Sequence, residues 1–255
     1  MAATAIRSIL ALVLREVSAT DGRAGLGFLW AVAEPVLGIA LLCAAFAVFF
    51  DQPPLGRDFA LFYATGILPF LFVFDTSNRV AQAVRYSRPM LLFPRVSATD
   101  AVLARWLLNG LVHLVIWGLV LGGIAVVRPV PPFPFLALAV PLGLAALLAF
   151  GVGCFSCALG SFWPAWPRIW SVVAKPLFLV SGVFFLPDGL APGVRDLILW
   201  NPVSHVVMMV RAAVYAGYDG DLAQPLFVLT IALGLSVLGL IWLPAAARAV
   251  LQEAA

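Results

Sequence analysis

Residues 79–95 read RVAQAVRYSRPMLLFPR. Arg79, Arg85, Arg88 and Arg95 fall within this stretch, more than a quarter of the chain's 15 lysines and arginines. On either side lie apolar runs of membrane-spanning length that carry almost no charge. A basic loop between two such runs marks the cytoplasmic side of a membrane protein. That assignment fixes the direction of every other segment, and the loop is the first place to look for a partner.

Composition points the same way. The 255 residues are 64% hydrophobic and 11% charged, with a mean hydropathy of +1.08. A soluble domain carries roughly 25% charged residues, so lipid must cover much of this surface. The formal charge of +3 does not point to nucleic acid, because the arginines stand at the ends of apolar runs and form no continuous face.

Toward the N-terminus, 59–78 reads as a span, with Gly66 and Pro69 as distortion points. Asp75 and Arg79 are one helical turn apart and are expected to pair. Before it, 29–50 is long enough to cross about 30 Å of hydrocarbon. Glu34-Pro35 lies inside that run, and a carboxylate there should face protein or water. Residues 4–18 are too short and too charged to span. Ile6, Ile9, Leu10, Val13, Leu14 and Val17 take one helical face, and Arg7, Ser8, Arg15 and Glu16 the other, as in a helix lying in the headgroup layer.

Toward the C-terminus, Pro89 and Pro94 divide the basic stretch into two short helical pieces. Ser97-Ala-Thr-Asp100 supplies caps for a third span, 101–127. Along that span Arg105, Asn109 and His113 recur every fourth residue, with Trp117 one step further, so they form one polar stripe. The stripe reads either as interhelical hydrogen bonding or as a hydrophilic wall. A fourth span, 135–159, carries Ala149, Gly153 and Cys157 as a small-residue seam. Cys154 and Cys157 have redox or metal spacing, but no nearby histidine or second pair completes a site, so they read as packing. Trp163, Trp166 and Trp170 fit an interfacial belt. Spans five and six are expected at 169–186 and 224–247.

Between those two, 194–199 and 203–215 are helix-like but short, split by Asn201-Pro202 and flanked by prolines. They read as two helices dipping part-way into the outer leaflet. A seventh span at 203–218 would instead put the C-terminus outside. With six spans, 11 basic residues lie inside and Arg57, Arg128, Arg195 and Arg211 outside, which favours six and both termini in the cytoplasm.

The single lysine, Lys175, is followed by Pro176, so a Walker A loop is impossible. If ATP drives this protein, the ATPase is a separate chain. HExxH and GxSxG are absent, and the two histidines, His113 and His205, sit on segments of different depth. The residues therefore support neither a metal site nor a hydrolase. Glu34 and Asp75 are the candidates for a proton carrier.

Leu14-Arg15-Glu16, Gly22-Arg23, Leu26-Gly27-Phe28-Leu29-Trp30-Ala31 and Glu34-Pro35 resemble the start of ABC-2-type polysaccharide export permeases. Thr65-Gly66-Ile67-Leu68-Pro69-Phe70 resembles the TGILPF of the capsule-export branch, the KpsM-like proteins. Phe93-Pro94-Arg95 resembles the family's cytoplasmic motif. Leu179 to Phe185, Leu199-Trp200-Asn201-Pro202 and His205 are similar to its periplasmic end.

The resemblance implies an all-α integral membrane subunit of a bacterial inner-membrane exporter, working as a homodimer with two ATPase subunits that bind ATP and Mg. It implies a lipid-linked capsular polysaccharide moved from cytoplasm to periplasm, with a periplasmic adaptor and an outer-membrane channel beyond. It places an interface helix at 4–18, a coupling region at 85–95 and gate helices at 194–215. The coupling residues would be Arg85, Tyr86, Arg88, Leu91, Phe93, Pro94 and Arg95. The gate residues would be Trp200, Asn201, Pro202, His205 and Arg211. The substrate path would include Trp30, Glu34, Arg105, Asn109, His113 and Trp117. Alternatives are the same fold exporting O-antigen, teichoic acid, a lipo-oligosaccharide or a drug, or a membrane-embedded transferase acting on lipid-linked sugars.

Overall fold

The computed structural model describes residues 11–13, 26–93, 96–127 and 135–252. The expected interface helix at 4–18 falls outside them except for 11–13, which are helical. Pro94 and Arg95 also lie outside them. Regular structure among the described residues is entirely helical.

The helices are α1 (Leu26–Ala47), α2 (Phe59–Ala81), α3 (Ala83–Tyr86), α4 (Arg88–Leu91), α5 (Ala98–Val127) and α6 (Phe135–Phe162). Then follow α7 (Trp166–Leu179), a 3-10 turn at Pro187–Gly189, α8 (Pro192–Leu199), α9 (Pro202–Val214) and α10 (Pro225–Gln252). Among the described residues four helices, α2, α5, α6 and α10, are long and apolar enough to cross a membrane. The count is five if α8 and α9, bent by 99°, are one broken span. Six spans were expected. The difference lies partly in 169–186, where α7 has only 14 residues, about 21 Å of helix, and turns and bends occupy 180–186.

Capping sets the helix starts. Asp58 accepts from the N–H groups of Ala60 and Leu61, opening α2. Ser97 Oγ accepts from Asp100 N while Asp100 Oδ2 accepts from Ser97 N, the reciprocal box at the head of α5. In the basic stretch the chain makes two short helices, but the break falls at Ser87. Pro89 sits in the first turn of α4, where its missing N–H costs nothing.

Close contacts give the directions. Gly153 lies on Val80, and Gly160 O accepts from Arg85 Nη2, so α6 advances alongside α2. Gly151 meets Ala232, and Gly239 meets Cys154, so α6 and α10 also run the same way. A Cβ on Gly239 would stand 2.6 Å from the Cys154 carbonyl carbon. Only hydrogen fits there, and the bare backbone lets the two helices approach closely. Cys154 and Cys157 are buried in a small cluster with Val80, Val84 and Leu243. The helix α5 is antiparallel to α2, since His113 faces Asp75 and Arg105 reaches Arg79. The helix α1 is antiparallel too: Phe46 packs on Tyr63 near the start of α2, and Glu34 meets Asp75 near its end.

Candidate functional site

Three places in the structure gather polar side chains. The first is a cavity of about 270 Å³ between α1, α2 and α5. Trp30 and Glu34 reach it from α1, Asp75, Asn78 and Arg79 from α2, and Asn109 and His113 from α5. Leu68, Leu71 and Ile116 close its apolar side. The helical period explains the meeting, since Asp75 and Arg79, like Asn109 and His113, are one turn apart on a single face. His113 Nε2 stands 3.7 Å from Asp75 Oδ2, and its ring stacks on Phe72 at 5.6 Å between centroids. Across the cavity Asp75 thus faces His113 of α5, an ion pair only when the imidazole is protonated.

The cavity gathers Trp30, Glu34, Asn109 and His113 of the expected substrate path. The other two path residues lie elsewhere. Arg105 is buried, its Nη1 donates to Arg79 O at 2.9 Å, and its guanidinium lies 4.0 Å from the Tyr86 ring centroid. Trp117 is buried in the apolar core. Asp75, Asn78, Arg79 and Gln82 are liners that the sequence reading did not place on the substrate path. Their spacing from one another was the available signal, and the local Asp75–Arg79 pairing obscured it.

The second place is the connection 82–93. Arg85 Nη2 caps Gly160 O near the end of α6, and Arg105 caps the last turn of α2, so two guanidiniums hold the frame from either side. On that frame Tyr86, Leu92 and Phe93 are exposed, Phe93 by 60%. Leu91 and Arg88 are half-buried.

The third place is the turn 180–186 and the elbow between α8 and α9. Arg211 has no exposed surface. Its Nη1 donates to Gly182 O at 2.6 Å and Phe185 O at 3.0 Å, and its Nη2 to Val183 O at 2.9 Å. Its guanidinium carbon lies 4.1 Å from the Phe62 ring centroid. Three carbonyls and an aromatic face surround this cation, and each charge-assisted bond contributes about 1.5–3 kcal/mol. Gly66 makes the approach possible, since an added Cβ would stand 3.0 Å from Val183 Cα and 3.1 Å from Arg211 Nη2. Gly182 has φ +76°, the left-handed conformation that glycine adopts freely.

The elbow is fixed by polar bonds as well. Asn201 Oδ1 caps Val203 N at 3.0 Å, and Ser204 Oγ donates to Val180 O at 3.0 Å. His205 Nδ1 accepts from Gln224 N at 3.1 Å, so its proton sits on Nε2 and is donated to Leu199 O at 2.8 Å. Pro202 begins α9, and Trp200 is 78% exposed. Beyond the helices, burial and then the hydrogen bond to Asp188 hold the Tyr218 phenol above its usual range. No group of three or more His, Cys, Asp or Glu side chains among the described residues could hold a metal ion.

Residues 7–215 match the family described as ABC-2 type transporter. The chain is 27% identical over 215 residues to the polysialic acid transport protein KpsM of Escherichia coli, covering 84% of this chain and 83% of that protein. It is 27% identical over 240 residues to the capsule polysaccharide export inner-membrane protein CtrC of Neisseria meningitidis serogroup A, covering 92% and 89%. It is 25% identical over 216 residues to the capsule polysaccharide export inner-membrane protein BexB of Haemophilus influenzae, covering 84% and 80%.

Proposed function

The chain belongs to the ABC-2 type transporter family, and from that premise we propose that it is the membrane permease subunit of an ATP-driven capsular polysaccharide exporter. Its cargo is a lipid-linked polysaccharide moved from cytoplasm to periplasm across the bacterial inner membrane. The observation that carries this is the polar cavity of about 270 Å³ in an otherwise apolar bundle, lying beside a connection that exposes Tyr86, Leu92 and Phe93. Relatives named for capsule export match more than four-fifths of the chain, which supports the cargo class.

The chain lacks a Walker lysine, so ATP and Mg bind on two partner ATPase subunits. Those subunits dock on 85–95, with Tyr86, Leu91 and Phe93 as apolar contacts and Arg88, Pro94 and Arg95 as further coupling residues. Arg85 positions this surface by capping α6. The permease is a homodimer. Six crossings are made by α1, α2, α5, α6, α7 with its following turn, and α10, which leaves both termini cytoplasmic. The alternating directions of α1, α2, α5 and α6 support that count. The gate is the α8–α9 elbow with Trp200, Asn201, Pro202, His205 and Arg211, and a periplasmic adaptor and outer-membrane channel take the polymer onward.

The test is deletion of the chain in its own host. Surface polysaccharide should disappear while lipid-linked polymer accumulates inside, and Phe93→Asp should reproduce the defect with the protein still in the membrane. Normal surface polysaccharide in the deletion strain would end this reading. ATP hydrolysis by the purified chain alone would also contradict it.

A further inference from the structure

The lining of the α1–α2–α5 cavity restricts what it can hold. Its fixed charges are two carboxylates, Glu34 and Asp75, and one guanidinium, Arg79. Asp75 has His113 as a partner at 3.7 Å. The two carboxylates outnumber the one guanidinium, so the lining is net negative toward an incoming anion. The remaining polar groups are the primary amides of Asn78, Gln82 and Asn109. Asn109 Nδ2 already donates to Arg105 O, so the amide oxygen is the group it can turn to a ligand. Carboxylates and amide oxygens accept hydrogen bonds, which suits the hydroxyl and amide N–H donors of an uncharged sugar. Trp30, 66% exposed, adds an aromatic face on which the C–H side of a sugar ring can rest.

Size narrows the ligand further. Sites for drug-sized molecules run to about 300–1,000 Å³, so a cavity of about 270 Å³ takes one or two sugar rings at a time. A sialic or uronic acid unit would bring a carboxylate against Glu34 and Asp75, where like charges repel. We propose that this cavity binds an uncharged sugar unit of the exported polymer and discriminates against sugars that bear a carboxylate. The proposal rests on the export reading above and makes it specific: a polymer built only of sialic acid, the cargo in one relative's name, is disfavoured here.

The test uses the full chain with its ATPase partner in lipid nanodiscs. Equilibrium binding is measured with two labelled probes, chitobiose and a sialic acid disaccharide. Chitobiose should bind saturably and about tenfold or more tighter than the sialic acid probe. Asp75→Asn and Asn109→Ala should each weaken chitobiose binding. The double variant Glu34→Gln with Asp75→Asn should shrink the gap between the probes, a change in selectivity that a merely loosened fold would not produce. Co-purification of the ATPase and an unchanged melting temperature control for folding. Equal or tighter binding of the sialic acid probe overturns the proposal, as does chitobiose binding that is absent or indifferent to Asp75→Asn. Because the deletion strain reports on export separately, a cavity that binds the sialic acid probe in an exporter refutes this inference and leaves the export reading standing.

Discussion

Arg85 and Arg211 do the same chemistry at two ends of α2, and their surroundings make the two ends different. Arg85 donates to one carbonyl from an exposed position. Arg211 donates to three from a site with no exposed surface, under the Phe62 ring. The first bond competes with water and is cheap to break. The second is part of a desolvated arrangement, where loss of the cation leaves three buried carbonyls without donors. The end of α2 that meets the 82–93 connection thus carries a bond open to water at Arg85, and the turn at the other end is held rigidly.

Substitutions at four positions would break or sharpen that contrast. Arg211→Met should have the largest effect, about 3–5 kcal/mol of lost stability, because it orphans the Gly182, Val183 and Phe185 carbonyls. Thermal unfolding in detergent should show a large drop, and Arg211→Lys should recover only part of it, since an ammonium cannot reproduce the planar fork. His205→Phe comes next, at about 2 kcal/mol, from the unsatisfied Gln224 N–H and Leu199 carbonyl. Asn201→Ala should cost about 1 kcal/mol through loss of the α9 cap. Arg85→Gln should change stability by less than about 1 kcal/mol yet reduce ATPase stimulation when the partner is present. A large melting shift for Arg85→Gln, or none for Arg211→Met, would erase the contrast between the two ends.

The sequence marked some of this and not the rest, for physical reasons. The helical class and the cap at Ser97–Asp100 were legible because apolar period and capping side chains act locally, and the pair expected at 194–199 and 203–215 starts earlier, at Pro192 and Pro202, because proline fits the first turn of a helix. The fifth span was overestimated because 180–186 is as apolar as a helix, while its turn is set by Gly182 and by Arg211 from 29 residues away in sequence. The polar stripe on α5 was real as a period but not as a single surface. Asn109 and His113 meet the cavity, whereas Arg105 is drawn to the end of α2 and Trp117 is taken into the core. Asp75 shows the same limit: spacing identifies the neighbour on its own helix, and only packing identifies the histidine across from it.

The parallel course of α6 and α10 bears on the order in which the protein is assembled. Their contact, sealed at Gly151 and Gly239, joins helices about sixty residues apart in the chain. At roughly 5–20 residues per second, the ribosome completes α10 about 5–18 s after α6. During that wait the glycine-lined face of α6 must rest against lipid or another helix. The extensive α6–α10 packing therefore closes late, and a chain halted before Pro225 would reach the membrane with that face still unsealed.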